Sequence, residues 1–305
     1  NNHAHVLRAK SGITTNYYLK RFLDQFDFHE SVNGTTRLKL TQAAMNQIPV
    51  RLAPLAEQKR IVAKVEKLLE KVDASRARLD KIVAILKRFR QSILAAACSG
   101  RLTADWREDK GAEDDLPAGW SWTPLQRLLP KGGIFDGPFG SNLKSSDYTD
   151  SGVRVIRLEN IGQLRFTGEK ETFISREKYA KIKKHTVGEG DIIFASFVAG
   201  EVRACLLPAL STKAIAKADC FCLRPNSELV DRKYLLFQLV SQKSFNTLFK
   251  EIHGATRPRI NTTQLRELEI RLCPFPEQLE IVRRVEDLFA LADRLEARVG
   301  KARGQ

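Results

Sequence analysis

No run of about 18 consecutive apolar residues occurs in the 305-residue chain, so no segment reads as a membrane-spanning helix. Its first residues, NNHAHVLRAK, lack the apolar core of a secretory signal. Cysteine is scarce and odd in number, at positions 98, 205, 220, 222 and 273. That excludes a fully paired disulfide framework and fits reduced thiols in a cytoplasmic protein. Cys220 and Cys222 sit two apart with no second Cys/His pair at zinc spacing; in a strand they share one face, which reads as core. The G-x-x-x-x-G-K-[ST] phosphate loop is missing, which excludes an ATP-driven motor of that type. No G-x-S-x-G, H-E-x-x-H or glycine-rich dinucleotide fingerprint is present either. Glu57-Gln58-Lys59 has the local spacing of a nuclease cluster, but it lies at a helix start without an upstream acid. The pair His3 and His5 is more often chance than a metal site.

Acid is in deficit: 36 Asp and Glu stand against 51 Lys and Arg, a net charge of +15 with a sequence pI near 9.7. Such a balance favours polyanionic partners, nucleic acid before an anionic membrane surface, although it also serves plain solubility.

What is present is a duplication. LAPLAEQKRIVAKVEKLLEKVDA, from Leu52, aligns with LCPFPEQLEIVRRVEDLFALADR, from Leu272. Pro54, Glu57, Gln58, Ile61, Val65, Glu66, Leu68 and Asp73 meet Pro274, Glu277, Gln278, Ile281, Val285, Glu286, Leu288 and Asp293 at one constant offset. Upstream, Gly34, Thr36 and Arg37 correspond to Gly254, Thr256 and Arg257, and Leu7-Arg8 and Tyr18-Leu19 to Leu223-Arg224 and Tyr234-Leu235. Each copy therefore has the order domain, then helix. The second copy carries a full domain; in the first, the counterpart of Leu116 to about Ala216 is absent, and the chain is expected to lack most of its first domain.

Glu57 to Ala97 contains no proline or glycine and is rich in strong helix formers. Ile61, Val65, Leu68, Val72, Leu79, Ile82, Leu86, Phe89 and Ile93 form a heptad seam broken at Ser75, with Gly100 as the stop. At ~1.5 Å per residue this helix spans on the order of 60 Å. A second helix runs from Pro276 to about Ala302, with its seam at Ile281, Val285, Leu288, Ala292, Leu295 and Val299. Pro276 suits a first turn and Glu277 the positive helix end. Two such helices related by a pseudo-two-fold axis are expected to pair antiparallel as a coiled coil; the plainer reading packs each on its own domain.

Residues 101–119 read as a polar linker ending in Pro-Ala-Gly. Strand-like runs follow at Val153–Leu158, Asp191–Phe197, Val202–Leu207 and Cys220–Leu223, with helical runs at Arg176–Lys184, Asp231–Lys250 and Thr263–Leu268. The expected fold is α+β: a domain with a curved β-sheet and flanking helices, plus the two long helices. The expected division is 1–53, the remnant of a first domain; 54–100, the long helix; 101–119, the linker; 120–273, the second domain; and 274–305, the C-terminal helix.

Three motifs carry polar chemistry. GGIFDGPFGSNLKSSDY is a turn-rich loop that offers amides, hydroxyls and Lys144, or is simply structural. Lys181, Lys183, Lys184 and His185 form a basic cluster, either a solvated face or a phosphate contact. HGATRPR, from His253, presents Arg257 and Arg259, whose forks suit phosphate and guanine, or which clamp a helix base to its domain.

DGPFGSNLKSSDYTDSGVRVIRLENI, GDIIFAS, GATRPRINTTQL and the twice-occurring P-x-x-EQ-x-x-IV-x-x-VE together resemble the specificity subunits of type I restriction–modification systems, over essentially the whole chain. The resemblance implies target-recognition domains, each reading half of a split site in double-stranded DNA. It implies helices that space the halves and dock methyltransferase subunits, with motor–nuclease subunits joining. S-adenosylmethionine, ATP and magnesium are then used by those partners and no cofactor by this chain, which is not an enzyme itself. The alternative is a half-subunit that forms a homodimer to rebuild two sites. Candidate DNA contacts, chosen by chemistry and loop position, are Ser141, Lys144, Arg157, Lys183, Lys184, Arg203, Arg257 and Arg259.

Overall fold

The fold was analysed in a computed structural model that describes residues 4–32, 38–107, 112–113, 116–250 and 258–304. It divides into two compact units, Asn1–Val83 with Arg303–Gln305, and Ala84–Ala302; these are called the N-terminal unit and the main unit. Among the described residues no helix is long and apolar enough to cross a membrane.

The N-terminal unit holds α1 (Asn16–Gln25), α2 (Gln42–Asn46) and the first turns of α3 (Leu55–Cys98). Thr15 and Thr41 cap the two short helices, their hydroxyls accepting from Tyr18 N–H and Ala44 N–H. Buried Gln58, in the first turn of α3, gives its amide N–H groups to the carbonyls of Ile13 (2.9 Å) and Ala53 (2.8 Å) and accepts from the Thr14 hydroxyl (2.8 Å). Tyr18 donates to the Arg51 carbonyl, and Arg21 pairs with Glu66.

The main unit begins with the end of α3, which stops at Gly100 in the left-handed region (φ 75°), as the sequence predicts. It continues through β1 (Ala112–Glu113), β2 (Leu116–Pro117), β3 (Ser121–Pro124), β4 (Ile134–Phe135), β5 (Tyr148–Thr149), β6 (Val153–Ile156) and β7 (Phe173–Ile174). Then come α4 (Arg176–Ile182), β8 (Thr186–Val187), β9 (Ile192–Ala195), β10 (Ala204–Leu206), β11 (Ala214–Ala216) and β12 (Cys220–Leu223). The unit closes with α5 (Arg232–Leu239), α6 (Gln242–Lys250), α7 (Thr262–Glu267), β13 (Glu269–Leu272) and α8 (Phe275–Gly304).

The mixed α+β class follows expectation, but the strands form two principal sheets. One is β10-β9-β12-β4, antiparallel; the other is β5-β7-β6-β11-β8, in which β6 and β11 run parallel. Alternation along the strands shows how they stack. Ile192, Phe194, Phe221 and Leu223 join the helical core of α5, α8 and the end of α3. Their neighbours Ile193, Ala195, Cys220 and Cys222 face a second core shared with Ile156, Ala214 and Ala216 of the other sheet. That sheet's outer residues Val153, Val155 and Ile215 meet Ile182 of α4. Strands buried on both faces lose hydrophobic alternation, so CFCL and IIFA are apolar throughout. The Cys220 and Cys222 thiols share one face and belong to the core, as expected.

Within the main unit α3 and α8 run antiparallel. Arg90 reaches Asp293 (2.6 Å) and Glu296 (2.7 Å), while after the end of α3 Asp105 meets Arg284 (2.7 Å) and Arg107 meets Glu277 (2.5 Å). Leu86 and Ile93 on the α3 seam are buried, as are Ile281 and Val285 on α8. The seam does not extend through the whole of α3 as a buried stripe: Ile61, Leu68 and Val72 are exposed. Heptad spacing specifies which face is apolar, not what covers it.

The segment read as a linker is packed in its described part. Thr103 and Leu116 are buried, and Thr103, Arg107 and Trp120 all donate to the buried Glu277 carboxylate. The single helical run Asp231–Lys250 is split, because the Ser241 hydroxyl accepts from Ser244 N–H and so caps a new helix, α6. β3 and β13 escaped the sequence reading; they pair with each other across most of the unit, and SWTP and EIRL are too short to show a period.

Candidate nucleic-acid interface

After β4 the chain turns at Asp136-Gly137-Pro138. A Cβ on Gly137 would lie 2.1 Å from the Lys217 carbonyl carbon and 2.5 Å from the Ala216 oxygen, so only glycine lets the loop press on that strand end. The Gly137 N–H donates to the Asp136 carboxylate (2.6 Å), and His185 Nδ1 lies 2.6 Å from the Asp136 carbonyl. The contact ties the Lys183–His185 turn to the loop. Beyond it, two short turns, Gly140–Asn142 and Ser145–Asp147, carry Ser141 and Lys144 in exposed positions. The second turn is held by Asp147, which accepts from Lys144 N–H (2.7 Å) and pairs with Lys178 (2.9 Å).

Behind these turns Tyr148 gathers two cations. Lys217 Nζ donates to its hydroxyl (2.6 Å) and lies 5.3 Å from the ring centre; the Arg157 guanidinium lies 5.7 Å from the same ring. Arg157 also pairs with Glu159 (3.3 Å).

Two carboxylates stand beside this group. Asp219 occupies the left-handed region (φ 70°), an unusual backbone for a non-glycine residue. Its side chain accepts from the Ser196 hydroxyl (3.0 Å) and faces Arg259 at 3.5 Å. Arg259 in turn lies over the Phe197 ring at 4.4 Å. Burial pushes the Asp136 carboxyl up to about 6, against the lowering effect of Gly137 N–H and with help from the Asp219 charge. His185 is held below the ordinary imidazole value, chiefly by burial.

Of the residues predicted from sequence, Ser141, Lys144, Lys183, Lys184 and Arg259 are exposed. Arg157 is half-buried in the Tyr148 cluster. Arg203 is half-buried and gives its guanidinium to the carbonyls of Leu158 (3.1 Å) and Ile161 (3.3 Å), a bracing role. Arg257 lies outside the described residues, as does His3. Asp136, Tyr148, Phe197, Lys217 and Asp219 were not foreseen. They come from four separated stretches, Lys217 and Asp219 sharing the turn between β11 and β12, and only the Asp-Gly-Pro turn carried a local signal. Exposed amines and guanidinium groups suit phosphates, and recessed carboxylates suit the amino groups of bases. Among the described residues no cluster of three or more His, Cys, Asp or Glu is placed to hold a metal ion.

The family model for the type I restriction modification DNA specificity domain matches residues 1–84 and 139–301. The chain is 30% identical over 297 residues to the EcoDI specificity subunit of Escherichia coli, covering 90% of this chain and 62% of that protein. It is 32% identical over 279 residues to the E. coli EcoBI specificity subunit, covering 89% and 58%. With the StySPI specificity subunit of Salmonella potsdam the identity is 30%, over 97% of this chain and 63% of that protein. The chain thus spans about three fifths of the length of these relatives. Among solved structures, one described as the structural basis of complex assembly and conformational transition of the type I R-M system has a TM-score of 0.67 at 21% identity, over 97% of this chain and 69% of that one. The HsdS subunit from Thermoanaerobacter tengcongensis has a TM-score of 0.53 at 21% identity, over 95% and 68%. These two carry the fold.

Proposed function

The chain belongs to the type I restriction modification DNA specificity domain family, and on that premise we propose that its main unit reads one half-site of double-stranded DNA through the loops around Gly137. Lys144, Lys183, Lys184 and Arg259 meet phosphates, and Ser141 with the recessed Asp136 and Asp219 meets base edges. The observation that supports this most is the convergence of these loops at Gly137, where a close backbone approach joins exposed basic turns to the Tyr148–Lys217–Arg157 cluster.

In this reading the subunit has no catalysis of its own. α3 and α8 act as a spacer and as the dock for methyltransferase subunits, and motor–nuclease subunits complete the restricting assembly. S-adenosylmethionine, ATP and magnesium belong to those partners, and the site of action is the cytoplasm. The names of the relatives, all specificity subunits, support this division of labour. The reading does not require two copies to pair.

The test maps methylated sites on DNA after incubation with the chain, a methyltransferase partner and S-adenosylmethionine. A defined sequence is expected at the modified sites, and modification without sequence preference would overturn the reading.

A further inference from the structure

The aromatic rings around the Gly137 loops are of two kinds. Phe135, Tyr148 and Phe197 each carry a cation on the ring: the Arg224 guanidinium at 5.1 Å, Lys217 Nζ at 5.3 Å and the Arg259 guanidinium at 4.4 Å. Phe139 is 56% exposed, and among the described residues neither a cation nor a second ring lies against it.

This exposure is not that of a slack loop. On one side Pro138 is buried and Gly137 presses on the Lys217 backbone. On the other the Phe139 carbonyl accepts from Asn142 N–H (3.1 Å), and Leu143 is 4% exposed in the core of Val153 and Ile174. Gly140 between them takes the left-handed region (φ 54°), with open space where a Cβ would stand, so the turn itself calls for glycine. A segment anchored at both ends thus holds an apolar ring out in water, where it gains no burial from its own chain.

Phosphates offer such a ring nothing. Its complement in a nucleic acid is the face of a base, which all four bases present. A duplex gives access to base faces only where a step opens, and apolar side chains that enter a step open it. An edge contact with a thymine methyl would leave both bare faces of the ring unused.

We infer that Phe139 enters the base stack at one step of the half-site and partly unstacks it. The inference rests on the DNA-reading role proposed above. Opening a step loses stacking, which the ring's own stacking and the phosphate contacts of Lys144 and the Lys183–Lys184 turn offset. The wedge names no base; sequence enters through how readily the step opens, and pyrimidine–purine steps open most easily.

The test uses the full chain with its methyltransferase partner and a duplex of the modified sequence. A fluorescent base, 2-aminopurine or pyrrolocytosine, replaces one base at a time, the methylated base excepted. Binding of the unaltered chain should brighten the opened step. Phe139→Ser should abolish the brightening and weaken binding about tenfold, with the melting temperature and the preference for this sequence over a scrambled duplex kept. Phe139→Trp, which keeps a stacking ring, should hold the affinity within about twofold. Brightening nowhere, brightening that survives Phe139→Ser, or a loss of affinity below about twofold in that variant overturns the inference. So does a Phe139→Ser protein that melts lower, because the ring would then be part of the fold. Preference without brightening removes only the wedge, whereas an unaltered chain that does not prefer its sequence overturns the DNA-reading role and the wedge together.

Discussion

Gln278 stands in the main unit where Gln58 stands in the N-terminal unit, and each places both amide N–H groups on backbone carbonyls while its oxygen receives a third bond. For Gln278 these are the carbonyls of Cys273 (2.9 Å) and Leu229 (3.2 Å), and the N–H of Asp231 (2.8 Å). The glutamine knits the first turn of its helix to the strand or loop just before it and to the segment that leads into an earlier helix, α1 for Gln58 and α5 for Gln278. The duplicated Glu-Gln dipeptide is therefore a folding device.

Gln278→Leu keeps the volume and removes every bond. It strands the buried Cys273 carbonyl and leaves the Leu229 carbonyl and the Asp231 N–H, both nearer solvent, without their protein partner, and unfolding in urea should show a loss of about 1–3 kcal/mol in the main unit. A loss under about 0.5 kcal/mol would mean that water replaces the amide.

Gly137→Ala places a methyl group against the Lys217 backbone and must lift the loop. The clash is with backbone at a buried position, so the melting temperature should fall, and affinity for a duplex carrying the target site should fall about tenfold or more. An unchanged affinity measured by anisotropy would separate this loop from the DNA surface.

Asp136 makes stability and binding depend on pH. Its carboxyl titrates near 6 when folded, above the ordinary value of 3.8, so the unfolded chain binds fewer protons between the two. The stabilising contribution is full below 3.8 and is lost as pH rises through about 6. The groups that face it are Asp219, His185 and the backbone of Gly137 and Lys217. Protonation also removes a negative charge from the basic face, so DNA affinity should rise as pH falls from 7.5 to 5.5. Asp136→Asn should flatten that rise and the matching trend in melting temperature. His185 is present in both proteins, so the difference between them isolates Asp136.

Lys144, Lys183 and Lys184 bear on salt dependence. If each meets a phosphate, replacing it with Gln should lower the slope of log K against log salt by about one and weaken binding to all sequences alike. Arg203, spent on the Leu158 and Ile161 carbonyls, should behave differently: Arg203→Gln should cost stability and leave the slope unchanged. A salt titration by filter binding separates the two kinds of residue.

The duplication, both long helices, the Gly100 stop, the mixed class and four of the strands were set down in the amino-acid order itself, because each depends on neighbours within a few turns or on a repeated pattern. The stacking of two sheets was not legible there, since CFCL and IIFA show the same apolar run whichever layer they enter. Tertiary structure alone brought Asp136 to Asp219 and Lys217 to Tyr148, turned Arg203 inward, and buried Glu277 while leaving its twin Glu57 in solvent. Those outcomes depend on groups far apart in the chain, where burial and charge are settled by what arrives on the other side.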